Sequence, residues 1–188
     1  MQDMEFQIYG TSSASGTTEQ ELNLQITLKL QKILEQSGVK VILTRSDDNG
    51  IYEVAKDSIR EKKISDTKNR VYIGNNSDAD IYVSIHMNYY TESQYNGWQT
   101  FYQSNSENSK RIATLIQESL NENIGQNKRN PMAIKGVYIM DKLKIPAVIV
   151  ECGFLSNKND EENLKKDEYQ SKLAWGIYIG IQKYFTEE

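Results

Sequence analysis

Two short runs, VKVILT at 39–44 and AVIVEC at 147–152, are apolar at nearly every position. A strand that is apolar on both faces has to be covered on both faces. Helices packed on either side of a sheet do this, whereas a sheet with one wet face does not. The rest of the chain alternates between two periods. IYVSIH (81–86) alternates residue by residue, as a strand does. From Glu19 the period becomes helical, with Leu22, Ile26, Leu30, Ile33 and Leu34 on one side; Thr18 and Glu21 fit a capping box and Gly38 fits the stop. Residues 107–122 carry Ile112, Leu115, Ile116 and Leu120 on one face, and 167–185 carry Tyr169, Leu173, Ile177, Ile181 and Tyr184 in register. GWQTFY (97–102) and KGVYIM (135–140) read as further strands, 11–18 as a loop, 46–66 as a polar excursion with some helix, and about 67–76 as a short helix. Strands alternating with helices predict the α/β class: a mostly parallel, twisted sheet with helices on both faces. No repeat, linker or low-complexity tract divides the sequence, so residues 1–188 read as one domain.

Charge and apolar content exclude several functions. A net charge of −4 with a pI near 5.2 offers no field to hold a phosphate backbone, so nucleic acid is not the expected partner. No apolar run approaches the ~20 residues of a membrane-spanning helix, so no integral membrane segment is expected. The first ten residues, MQDMEFQIYG, have neither the basic nor the apolar region of a signal peptide. Cys152 is the single cysteine, which rules out an internal disulfide, and it follows apolar residues as a buried hydrophobe does.

In open α/β sheets the chemistry sits beyond the carboxyl ends of the strands. Two polar side chains fall at such ends: His86, the only histidine, closes IYVSIH, and Glu151 closes AVIVE. Glu19 opens the first helix, where a loop from a preceding strand would arrive at the same edge. Each has a plain alternative. Glu19 can complement the helix dipole, and His86 can be a satisfied structural residue. Glu151 is harder to set aside, because a carboxylate set among apolar residues is desolvated unless something compensates. Together the three predict a metal-and-base site: a carboxylate oxygen and an imidazole nitrogen as ligands, and a second carboxylate as general base.

The stretches EQELNL (19–24), VILTR (41–45), NRVYIGNNSDADIYVSIHMN (69–88), GWQTFY (97–102) and VECGFLSN (150–157) carry a resemblance spanning about Gly16 to Phe185. The chain resembles the zinc-dependent N-acetylmuramoyl-L-alanine amidases that cut bacterial peptidoglycan, in particular their sporulation-type, CwlD-like branch. The resemblance implies a six-stranded sheet, Zn2+ as cofactor, Glu19 and His86 as zinc ligands and Glu151 as the catalytic carboxylate. It implies peptidoglycan as substrate, in the vegetative wall or the spore cortex, and hence an extracytoplasmic place of action. An activating lipoprotein partner is a further implication, since some sporulation amidases of this kind use one. Tyr89, Tyr90, Tyr95 and Trp98 then become candidates for stacking on sugars, with ordinary half-burial as the alternative, while Arg45 and Arg70 read as structural ion pairs.

One departure stands out. The family's first zinc ligand is a histidine in an Asp-Ala/Pro-Gly-His-Gly motif after the first strand, and this sequence has neither. Read one base earlier, the codons for Met1–Glu5 permit Asp-Ala-Gly-His-Gly, so an N-terminal truncation or a frame shift is expected to hide the strand and the ligand. MEFQIY would be a partial substitute strand, and low stability with little activity is expected of the chain as written. Two rival functions remain: a zinc-deficient relative that binds peptidoglycan or a partner without catalysis, and a glycosidase using Glu19 and Glu151 as a carboxylate pair.

Overall fold

A computed structural model describes residues 12–13, 15–53 and 58–187. The proposed motif in Met1–Glu5 and the substitute strand MEFQIY lie outside the described residues. The elements run α1 (Glu19–Gln36), α2 (Ile59–Asn76), β1 (Tyr82–Asn88), β2 (Gln99–Gln103), α3 (Glu107–Asn123), β3 (Met132–Ile134), α4 (Tyr138–Lys142), β4 (Ala147–Phe154), α5 (Lys158–Leu164) and α6 (Asp167–Thr186). Among the described residues the four strands form one open mixed sheet in the order β1-β4-β2-β3. β4 runs parallel to β1 and antiparallel to β2, and β3 is parallel to β2. The α/β class is as expected from the sequence.

β4 is central and buried along its whole length, which is why its apolar run is so nearly continuous. One face of the sheet carries the larger core. There Ile85, Met87, Val148, Val150 and Cys152 meet Leu22, Ile26, Ile112, Ile116, Leu173 and Ile177 from α1, α3 and α6. Each such side chain contributes about 1.5–3 kcal/mol when removed from water. The opposite face carries a smaller cluster of Met140, Leu143, Ala147 and Ile149 under α4. Helix α1 starts where Thr18 Oγ1 accepts from the Glu21 N–H, 3.3 Å, and stops before Gly38, whose φ of +82° only glycine adopts without strain.

Three elements differ from the sequence expectation. Residues 39–44 do not form a strand. A strand needs a ladder of backbone partners, and among the described residues none lies alongside this segment; a cleft separates it from β1. That also leaves four described strands where six were expected. KGVYIM is not a strand either: β3 ends before it, Gly136 takes φ +78°, and Tyr138–Lys142 coil into α4. A short apolar run fits a buried helix turn as well as a strand, and Met140 is 2% exposed in that turn. Helix α2 begins at Ile59 rather than near 67, started by a full capping box in which Ser58 and Glu61 bond reciprocally.

Candidate functional site

Parallel pairing brings the carboxyl ends of β1 and β4 to one edge of the sheet, with His86 directly beside Glu151. Residues facing each other across a ladder point to the same face, so imidazole and carboxylate share one side. The N-terminus of α1 reaches that edge too, because α1 packs on β1. Glu19 Oε1 lies 2.8 Å from His86 Nδ1 and also accepts from the Met87 backbone N–H at 3.3 Å. The other ring nitrogen, Nε2, is 2.9 Å from Ser84 Oγ. The three side chains expected at the site are thus brought together, from a helix start and the carboxyl-terminal halves of two strands, of which β4 runs on past Glu151 to Phe154 and β1 past His86 to Asn88.

Their electrostatics are coupled. Burial pushes the Glu151 carboxyl up to about 7; the Glu19 charge adds to this, and His86 opposes it. Burial would lower the His86 pKa, yet the hydrogen bond and charge of Glu19, with the charge of Glu151, outweigh it and hold the ring above its ordinary value. Glu151 Oε2 is buried without a hydrogen-bond partner among the described residues. An orphaned carboxylate oxygen inside a protein is costly, and this one faces the site. Lys63 of α2, its pKa lowered by burial, adds a cation whose field meets Glu19.

The donor set suits zinc at two corners. Two ligands on a tetrahedral zinc, with bonds of about 2.0–2.1 Å, lie about 3.3 Å apart, and Glu19 Oε1 and His86 Nδ1 are close to that spacing. Among the described residues no group of three His, Cys, Asp or Glu side chains is arranged to hold a metal. Cys152 is excluded: it packs in the helix-side core, and burial raises its thiol pKa strongly.

The site opens into a cleft of about 1280 Å³ that runs beside β1 and is lined by Glu19, His86 and Glu151 as well as by apolar residues such as Leu30, Val41 and Val83. Of the four aromatics singled out in the sequence, Trp98 is core: it is 6% exposed, and its indole N–H donates to Asn121 Oδ1 at 2.9 Å. Tyr89 and Tyr95 are exposed. Tyr90 and Tyr95 lie against Phe154, with ring centroids 5.5 and 6.3 Å away. Arg45 and Arg70 are structural. Arg70 Nε pairs with Asp66 Oδ2 at 2.5 Å, and Arg45 Nη2 donates to the Gln20 carbonyl at 2.6 Å.

Sequence reasoning missed three contributors. Ser84 was legible, since it shares a strand face with His86 two residues on. Lys63 was not, because the half of its helix that carries it is polar. Glu161 was hidden as well. From α5 it accepts hydrogen bonds from Ser13 Oγ at 2.6 Å, Thr17 Oγ1 at 2.8 Å and Ser15 Oγ, and pairs with Lys165 Nζ at 2.7 Å. It thereby pins the loop that delivers Glu19. Burial alone would raise its carboxyl, but Lys165 and the three hydroxyls hold it at about 2.

Residues 7–183 match the family model described as N-acetylmuramoyl-L-alanine amidase. The germination-specific N-acetylmuramoyl-L-alanine amidase of Bacillus subtilis (strain 168) is 33% identical over 170 residues, covering 90% of this chain and 72% of that protein. The CwlD amidase from Clostridioides difficile, solved in complex with the GerS lipoprotein, superposes with a TM-score of 0.92 at 41% identity, covering 95% of this chain and 92% of that one. An N-acetylmuramoyl-L-alanine amidase from Clostridium difficile 630 superposes with a TM-score of 0.83 at 29% identity, over 96% and 91% of the two chains.

Proposed function

Since the chain belongs to the N-acetylmuramoyl-L-alanine amidase family, and by that resemblance is an amidase, we propose that it is a zinc-dependent peptidoglycan hydrolase in which Glu151 moves the proton and Glu19 and His86 hold the metal. The observation that carries this reading is the orphaned Glu151 oxygen beside the Glu19–His86 pair. A buried carboxylate with its pKa near 7 can take a proton and give it back at neutral pH, which is what a general base that turns general acid must do.

Zinc, when bound, supplies a Lewis acid for the lactyl carbonyl and for the attacking water. The protein's own part is positional. Glu19 is fixed by the Met87 N–H and by the helix start it occupies, and His86 by Ser84. Glu151 accepts the proton that the water loses and returns it to the L-alanine amine as the amide breaks. The carboxylate-pair glycosidase reading leaves the Glu19–His86 contact without a role.

The substrate places the reaction outside the cytoplasm, in the cell wall or the spore cortex. Among the described residues no helix is long and apolar enough to cross a membrane. The likeness to an amidase solved with a lipoprotein supports a lipoprotein partner for this chain as well. The test is hydrolysis of purified muropeptides, followed as newly exposed L-alanine amines, with zinc added and after chelation. Release that needs zinc and returns on its re-addition is the expected result. Release indifferent to chelation would overturn the zinc assignment, and no release under either condition would overturn the amidase.

A further inference from the structure

Beyond the proton-moving carboxylate the same sheet edge continues toward β2. The order β1-β4-β2 sets Glu151 in the middle, with His86 on one side and Gln99 on the other. Gln99 is paired with Glu151 across the ladder and so shares its face. A register shift on β4 after Glu151 pairs Phe154 with Asn88, which turns the Phe154 ring to that face as well.

Arg129 lies over this ring. Its guanidinium carbon is 4.8 Å from the Phe154 centroid and 5.7 Å from that of Tyr95. Nε donates to the Asn96 carbonyl and Nη1 to Gln99 Oε1, each at 3.3 Å. Both acceptors are neutral and both bonds are long, so three of the five N–H donors of this side chain find no described acceptor. The nearby acid, Asp160, carries a charge that Arg129 favours, and its Oδ2 accepts from the Gly97 N–H at 2.8 Å and the Phe154 N–H at 2.9 Å. The backbone that presents Arg129 is pinned too, since its own N–H donates to Asn127 Oδ1 at 3.0 Å and Gln99 Nε2 donates to the Asn130 carbonyl at 3.1 Å. A half-buried cation, braced on rings and bonded to two neutral acceptors, with the Asp160 charge nearby but no carboxylate oxygen bonded to it among the described residues, can receive a planar anion.

Building on the amidase reading, we propose that Arg129 binds a free carboxylate on the peptide side of the scissile amide, and so selects stems whose residue after L-alanine is acidic. The glycan side offers no such group, because the lactyl carboxyl is consumed in the amide itself. The leaving amine receives its proton from Glu151, so the peptide departs past that residue, and Gln99 and Arg129 lie on the side of Glu151 away from His86. One strand spacing, about 4.8 Å, separates Glu151 from Gln99, and Arg129 stands a side chain further on. An extended peptide covers that span in two or three residues.

The test compares two stems, one with a free D-glutamyl carboxylate and one with that carboxyl amidated, in wild type, Arg129→Gln and Arg129→Lys. Wild type is expected to favour the acidic stem by about 10–100-fold in kcat/KM, mostly through KM, as fits a charged hydrogen bond. In Arg129→Gln the ratio falls toward one, and Arg129→Lys keeps part of it. A merely structural arginine would lower both stems equally and leave the ratio intact, which would overturn the proposal, as would a wild type without preference. Calorimetric binding of L-alanyl-D-glutamine, whose α-carboxylate is free, and of its α-amide, which has no carboxylate, separates this from the amidase reading. Tighter binding of the acid, lost in Arg129→Gln, sustains the Arg129 assignment even if no stem is hydrolysed. Equal or absent binding of both dipeptides ends it even if stems are cut.

Discussion

Two buried glutamates in this protein sit in opposite environments, and the difference predicts opposite responses to the same substitution. Glu151 has an oxygen with no partner among the described residues and a carboxyl raised to about 7. Glu151→Gln removes a charge that the fold does not compensate, so the thermal midpoint is expected to hold or rise. Muropeptide hydrolysis should meanwhile fall by about 10²–10⁴-fold, the usual worth of a positioned acid–base group. Amine release and a melting curve on one preparation check both, and retained turnover would remove Glu151 from the chemistry. Glu161 is compensated fully, by three hydroxyls and Lys165, and its carboxyl lies at about 2 against an ordinary 4.5. A carboxyl lowered by folding stabilises above its unfolded pKa, and that contribution drains away as pH falls toward the folded value. Glu161→Gln should therefore cost about 2 kcal/mol near neutrality and roughly a quarter of that at pH about 2.5, below the unfolded pKa but still just above the folded one. Denaturant unfolding at the two pH values measures it, and an equal loss at both would show that the charge is not the cause. His86 and Glu151 were legible in the sequence because each follows an apolar run, and Glu19 because it opens a helix. Glu161 and Arg129 were not, because their partners lie far away in sequence and in loops without a period.

The elements that could be read from the sequence were those with a strong period or a complete burial pattern. α1, α3 and α6 stand where their apolar stripes put them, and β4 where its unbroken run required. Helix α2 shows the limit. Its first half is polar, with the Ser58–Glu61 cap as the signal for its start, and the expected helix over about 67–76 caught only the second half, where Val71 is buried. Segment 39–44 shows another: an apolar run does not guarantee a neighbour to pair with it or cover it, and Val39 and Ile42 are 36% and 42% exposed. The interface between α3 and α6 rests on two glycines one turn apart. A Cβ on Gly180 would come within 2.5 Å of Ile116 Cα, and one on Gly176 within 2.9 Å of Leu120 Cδ2. The first obstacle is backbone and cannot rotate away, while the second is the end of a side chain. Gly180→Ala is therefore expected to destabilise by about 1–3 kcal/mol or more through overpacking, and Gly176→Ala by less. Midpoints in urea should fall in that order, and the reverse order would mean that the helices can separate without cost.

At the scale of the whole molecule, the site joins parts of the chain that meet only on folding: the start of α1 and the carboxyl-terminal halves of β1 and β4. Glu19 and His86 are 67 residues apart in sequence yet in contact, so an ion held by both exists as a ligand of the folded state alone. Such a ligand stabilises according to its concentration over its dissociation constant, by about 2.7 kcal/mol at a hundredfold excess. For a domain of this length that corresponds to a rise of roughly 5–10 °C in Tm. The rise should grow with added zinc as that dissociation constant dictates. Magnesium, which prefers an all-oxygen octahedral shell, should not reproduce it. His86→Ala should abolish the response, since it removes the one nitrogen donor and leaves a carboxylate that binds zinc no better than many surface carboxylates do. Melting curves over a zinc series, with magnesium and with the His86 variant, decide the matter. A midpoint unmoved by millimolar zinc, or moved equally in His86→Ala, would detach the metal from the Glu19–His86 pair while leaving the fold and the Glu151 carboxylate as described.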